Sequence, residues 1–169
     1  AIVAADAANV LYVAASGNAG TNNDTTPNYP CGFEVPNVIS VAASNWDDNL
    51  AGFSNYGLTS VDLAAPGDRI WVLWNNGSIT LSSGTSISAP MVSGAAALLW
   101  TYRPGLSHRL VKDILLSSTD QIPGLAGKVQ TAGRLNLDNA LRTGIAVTLP
   151  GQITFRGVRG EALEPGQLT

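Results

Sequence analysis

Ser86 stands in the run SGTSISAPMVSGAAALL (Ser83–Leu99), where a small-residue turn leads straight into an uncharged helical stretch. A serine hydroxyl delivered to the amino end of a helix meets orphan N–H groups and the positive end of the helix dipole. Both favour a developing negative charge. Gly84 would let a substrate backbone come close, and Ala89 with Pro90 would let the helix pack tightly behind such a site. The Gly84-Thr85-Ser86 triplet alone leaves a second reading open, in which Ser86 and Ser88 only cap the helix. A phosphate-binding loop is excluded, because no lysine follows the glycines.

Two further side chains could join this chemistry, and their spacing argues against both. Cys31 is the only cysteine, so it makes no disulfide within the chain and no thiolate metal site. No histidine lies near it in sequence, and a partly buried small apolar residue is expected rather than a nucleophile. His108, the only histidine, follows Ser86. A helix from Ser86 to Tyr102 is about 24 Å long at 1.5 Å per residue. The six residues onward to His108 span at most roughly 20 Å, and Pro104-Gly105 with a new helix shorten that. His108 is therefore kept away from Ser86 and is expected to face solvent in the first turn of the next helix.

The elements that must position Ser86 are short apolar runs followed by helices. Val10–Ala15, ending at Ser16-Gly17-Asn18, reads as a buried strand, as do Val38–Ala43 and Val61–Ala65, the last stopped by Pro66-Gly67. Ile70–Trp74 and Ile79–Ser82, joined through Asn75-Asn76-Gly77, read as a hairpin. Continuous apolar runs point to strands covered on both faces, as in α/β sheets. A helix is predicted over Ala89–Tyr102 with Ser88 as its cap, nearly uncharged and so buried on most faces. Ser107–Ser118 and Asn136–Arg142 read as amphipathic helices, and AIVAADAANV as the back half of another. From Gly144 the pattern becomes β-like.

Composition sets the class. The chain has 169 residues, 45% of them hydrophobic and only 12% charged, with 18 Gly and 9 Pro. Disorder pairs low hydrophobicity with high net charge, and this chain does the reverse. Its formal charge is −3 and its basic residues are scattered, which argues against a nucleic-acid surface. The longest apolar stretch, around Gly94–Trp100, is far shorter than a membrane span, and no basic segment followed by an apolar one is found at the start, so no signal peptide is expected among these residues.

Read whole, Ser83–Leu99 resembles the nucleophile motif of the subtilisin-like serine proteases, or subtilases: Gly-Thr-Ser-x-x-x-Pro followed by a small-residue helix. VLYVAASGNAG (Val10–Gly20) is similar to the family's strand that ends in the oxyanion-hole asparagine. NYP at Asn28–Pro30, NVISVAAS, LAGFSNYG and VDLAAPG then follow in the family's order. The resemblance extends from Ala1 to about Arg142.

It implies an α/β three-layer sandwich with a mostly parallel sheet. Residues 1–143 would form the later part of the catalytic domain, and 144–169 an extension or the start of a further domain. Ser86 would be the acylating nucleophile, with its own N–H and the Asn18 amide holding the oxyanion and the Thr85 hydroxyl supporting that hole. Ala15, Ser16 and Gly17, with Ser83 and Gly84, would contact substrate, and Asn28 would lie at the floor of the specificity pocket. Ile87 stands where several bacterial members have an oxidisable methionine, so the site is expected to resist peroxide. Asp62 matches a position that in some members helps hold a weakly bound cation; a loop-capping role is the plainer reading. The chemistry needs no metal or cofactor, while structural calcium is compatible with the parent enzyme.

A subtilase triad runs Asp, His, Ser along the chain, yet neither the Asp motif nor His-Gly-Thr-His precedes Ser86. The resemblance thus implies a secreted or extracellular endopeptidase acting on proteins or peptides, whose triad Asp and His lie in an N-terminal half outside this chain. The chain alone is expected to be inactive. Without that half, an uncovered sheet edge and apolar face would favour dimerisation or strand exchange. A degenerate, non-catalytic subtilase domain is the alternative. The related sedolisins carry an acidic oxyanion residue, and the Asn18 amide and VDLAAPG argue against that class.

Overall fold

The computed structural model describes residues 1–143, so the β-like stretch expected at 144–169 lies outside the described residues. Along the chain come α1 (Ile2–Ala7), β1 (Tyr12–Ala15), β2 (Val38–Ser44), β3 (Leu63–Pro66), β4 (Ile70–Leu73), β5 (Ile79–Ser82) and α2 (Thr85–Tyr102). They are followed by α3 (His108–Ser117), β6 (Asp120–Gln121), a 3₁₀ turn (Pro123–Leu125), β7 (Gly133–Arg134) and α4 (Leu137–Arg142). The strand runs read from the sequence are therefore present, with ends that agree to within two residues.

Among the described residues, five strands share one sheet in the order β1-β2-β3-β7-β6. Every neighbouring pair is parallel except β6 with β7. β2 is buried along its whole length, which is why VISVAAS is continuously apolar instead of alternating. Ile39 and Val41 face α2, α3 and α4 in one cluster with Val92, Leu99, Val111 and Leu115. Ala42 and Ala64 point the other way, onto Val61, Leu125 and Val129. The second face is thus covered by the segment around the 3₁₀ turn. Strands β6 and β7, two residues each, carry too little periodicity to be legible in the sequence.

Two expectations about α2 are corrected. The helix opens at Thr85 with Gly84 as its cap, a full turn before the expected start at Ala89. Ser88 caps nothing; its hydroxyl donates to the carbonyls of Ala65 and Pro66 at 3.0 and 3.2 Å, fastening the first turn to the end of β3. Nor is the helix buried on most faces. Thr85, Ser88, Ala89, Val92, Ala95, Ala96 and Leu99 are buried, while Ser93, Gly94, Ala97, Leu98 and Thr101 form an exposed stripe at helical spacing. An uncharged string of mostly small residues hides this two-sidedness, because such residues serve either face.

β4 and β5 form the expected antiparallel hairpin. Its cross-strand pairs Trp71–Leu81 and Leu73–Ile79 share one face, and all four side chains are exposed.

Candidate active site

The site is built where β1 ends and α2 begins. Past Ala15, which is half-buried, the chain turns through Gly17 at φ +114. A side chain there would be strained and would collide with the amides of Asn28 and Asn55, so the turn requires glycine. Asn18 follows, exposed. Its Oδ1 accepts two hydrogen bonds from Thr85, one from the backbone N–H and one from the hydroxyl, both at 2.9 Å. The Thr85 hydroxyl in turn accepts from Gly17 N–H at 3.2 Å, and Thr85 has no accessible surface. A backbone N–H only donates, so the Asn18 atom facing it is the amide oxygen and Nδ2 is turned outward.

Gly84 shows where that amide points. An ideal Cβ built on Gly84 would lie 3.0 Å from Ser86 Oγ, 3.5 Å from Asn18 Nδ2 and 3.8 Å from Ser86 N. Three groups with the right polarity thus lie within 4 Å of one point, which a side chain at residue 84 would fill. Ser86 N–H belongs to the first turn of α2 and has no acceptor among the described residues, as expected of a helix amino end. Pro90 lacks the N–H that would otherwise bond the Ser86 carbonyl. Gly84 N–H is held by Gly67 O at 2.8 Å, and Gly67 is itself packed against Ser88 Oγ and Ala43 too closely to carry a Cβ.

Asn55 supports the Asn18 loop from behind. Its Oδ1 accepts from Ala19 N–H at 2.8 Å and Thr21 N–H at 3.2 Å, and its Nδ2 donates to Asn23 Oδ1 at 3.0 Å. Its backbone carbonyl accepts from the Ser16 hydroxyl at 3.0 Å. Sequence reading missed both Asn55 and Asn23. No local signal marked them: Asn23 stands in the polar run TNNDTT and Asn55 in the string FSNYG, and only burial, where an amide must find partners on both ends, sets them apart.

The remaining expected site residues divide. Asn28 lies against Gly17 and donates from Nδ2 to the Ser16 carbonyl at 2.8 Å. Ser16 has no accessible surface, so it backs the loop and offers a substrate nothing to touch; the contact expected of it is corrected. Ser83 is exposed, but its hydroxyl donates to Asp68 Oδ1 at 2.8 Å and accepts from Arg69 N–H at 2.9 Å. Cys31 is buried, its Sγ 3.0 Å from the Asn28 carbonyl, and burial pushes the thiol pKa up. A raised pKa suits a packing role.

His108 was expected to face solvent and does not. It is 5% exposed, with Nδ1 2.7 Å from Asn9 Oδ1 and Nε2 2.6 Å from Asp6 Oδ1. Arg109 also reaches Asp6 at 2.8 Å. The Arg109 and His108 hydrogen bonds hold the Asp6 carboxyl below its ordinary range. The amphipathic pattern of α3 could not reveal partners from the start of the chain. His108 lies beside Asn9, before β1 begins, and Ser86 lies beside the end of β1; the two sit at opposite ends of that strand.

Asp62 does not suit a cation. Its Oδ2 accepts from Ser40 N–H at 2.7 Å and its Oδ1 is 3.2 Å from Lys112 Nζ. Among the described residues no group of three or more His, Cys, Asp or Glu could hold a metal.

The model of the Subtilase family matches residues 1–144. Thermitase of Thermoactinomyces vulgaris is 38% identical over 132 residues, covering 78% of this chain and 44% of that protein. The cell wall-associated protease of Bacillus subtilis is 44% identical over 114 residues, covering 68% and 12%. Among solved structures, the A subunit of the AB5 toxin from E. coli superposes with a TM-score of 0.71 at 28% identity, over 82% of this chain and 52% of that one. The chain thus spans about half the solved structure, and less than half of these two relatives.

Proposed function

The chain belongs to the subtilase family, a family of serine proteases, and on that footing we propose that its parent protein is a serine endopeptidase with Ser86 as nucleophile. Attack by Ser86 Oγ on a peptide carbonyl gives a tetrahedral intermediate. Its oxyanion takes hydrogen bonds from Asn18 Nδ2 and Ser86 N–H, and collapse releases the amine and leaves an acyl-enzyme that water hydrolyses. The observation that carries this reading is the convergence of Ser86 Oγ, Ser86 N and Asn18 Nδ2 within 4 Å of the point a Gly84 side chain would occupy. Thr85 is a positioning residue, fixing which end of the Asn18 amide faces outward.

The general base comes from outside this chain. A serine hydroxyl without a neighbouring imidazole is a poor nucleophile at pH 7, and His108 is engaged at the other end of β1. The triad Asp and His are supplied by an N-terminal segment, for which the edge of β1, paired only with β2 among the described residues, offers a place. By itself the chain has negligible activity. The substrates are extracellular proteins or peptides; cell-wall association in the name of one relative supports that location. Chemistry requires no metal.

One observation favours a second reading, a non-catalytic subtilase domain used for binding: the chain's single imidazole is committed elsewhere. The full-length protein discriminates. With a casein-type substrate it should show proteolysis that Ser86→Ala reduces at least 10³-fold; a full-length protein without activity would support the binding module.

A further inference from the structure

Lys112 projects from α3 into the corner where β2 starts and the chain enters β3. Its ammonium donates to the Val38 carbonyl and pairs with Asp62 Oδ1 at 3.2 Å. The two side chains are only 18% and 15% exposed. The other Asp62 oxygen is taken by Ser40 N–H at 2.7 Å, and Asp62 N–H donates to the Ser40 carbonyl at 3.0 Å. The pair borders a cavity of about 420 Å³ that Asp24 and Glu34 also line.

A bound calcium ion needs six to eight oxygen ligands at roughly 2.3–2.6 Å. Here one carboxylate oxygen is committed to an N–H and the other to an ammonium, so an entering cation would meet a like charge at contact distance. Asp24 is no substitute ligand. Its carboxylate already accepts from the N–H groups of Leu58, Thr59 and Ser60 and from the hydroxyls of Thr59 and Ser60. A lysine ammonium supplies the same charge and three donors, delivered by a covalent stem.

We propose that Lys112 is a built-in cation: its ammonium occupies the place at Asp62 that the family resemblance gives to a metal ion, and joins α3 to β2 and the approach to β3 without one. Stability of this corner is then independent of calcium and potassium. Removing the ammonium uncovers a carboxylate and the Val38 carbonyl, both suited to a hard cation.

The test is thermal unfolding of the full-length protein in EDTA, in millimolar CaCl2 and in KCl. Whatever rise in Tm those salts bring to the wild type, Asp62→Asn should show the same rise, since Asn keeps the acceptor for Ser40 and no metal is lost. Lys112→Met should lower Tm in EDTA by about 3–8 °C. It should also gain a further rise with CaCl2 or KCl that the Asp62→Asn, Lys112→Met double variant lacks. A salt-dependent rise that Asp62→Asn abolishes while Lys112 is intact would overturn the proposal, as would Lys112→Met acquiring no new salt response. The Asp62→Asn comparison retains Lys112 and decides the matter even where Lys112→Met does not fold.

Discussion

Thr85 donates twice to Asn18, from its backbone N–H and its hydroxyl, and both bonds are 2.9 Å long. The two donors saturate the amide oxygen and hold the amide nitrogen toward the volume beside Ser86. A residue without accessible surface thereby sets the polarity of an exposed one.

Thr85→Val keeps the backbone N–H and the shape but removes the hydroxyl, leaving Gly17 N–H without its acceptor. In the full-length protein kcat should fall about 10-fold with KM nearly unchanged, and Thr85→Ser should restore most of it. A purely structural role for Thr85 would show as a lower Tm with kcat intact.

Asn18→Ala removes one of two proposed oxyanion donors. Steady-state kinetics on a peptide substrate should show kcat lowered about 10²–10³-fold with little change in KM. An unchanged kcat would mean that Asn18 donates to nothing in the transition state.

Asn55→Ala strips the Asn18 loop of its internal support and leaves Ala19 N–H, Thr21 N–H and Asn23 Oδ1 without their partner. The expected loss is about 2–4 kcal/mol, read by urea denaturation. A loss below about 0.5 kcal/mol would contradict the role given to this residue.

Much of this arrangement was legible in the sequence. The strand runs and the hairpin followed from local strings, because each string carries its own punctuation, whereas Ser86 and Asn18 were named together only through the resemblance to the subtilases. What stayed hidden depends on partners far apart in the chain. His108 is buried only because Asp6 and Asn9 reach it across about a hundred residues. The start of α2 was misplaced because Gly84 caps it without a side chain, while Ser88, which looks like a cap, is spent on β3. Asn55 looked like part of a motif string, and only its buried position reveals it as a hub.

Asp24 gives the fold an acid limb. Burial acts to raise its pKa, but the Ser60, Thr59 and Leu58 donors outweigh it and bring the group from 3.8 to about 2. The folded form therefore binds its proton less readily than the unfolded chain, so the contribution is complete above about pH 4 and is lost as pH falls toward 2. Because Asp24 is exposed, solvent screening keeps it near 1 kcal/mol or less. Between pH 4 and pH 2, Asp24→Asn should lose less stability than the wild type in parallel urea titrations; equal losses would remove Asp24 from the account.

The most direct measurement is covalent labelling with a fluorophosphonate, followed by mass spectrometry of the modified peptide. The full-length protein should carry one adduct, on Ser86, within minutes, while the isolated 169-residue chain stays unlabelled over hours. A full-length protein that resists the probe, or is modified at another serine, would contradict the assignment of Ser86 as nucleophile, and rapid labelling of the isolated chain would show that its base lies within these residues.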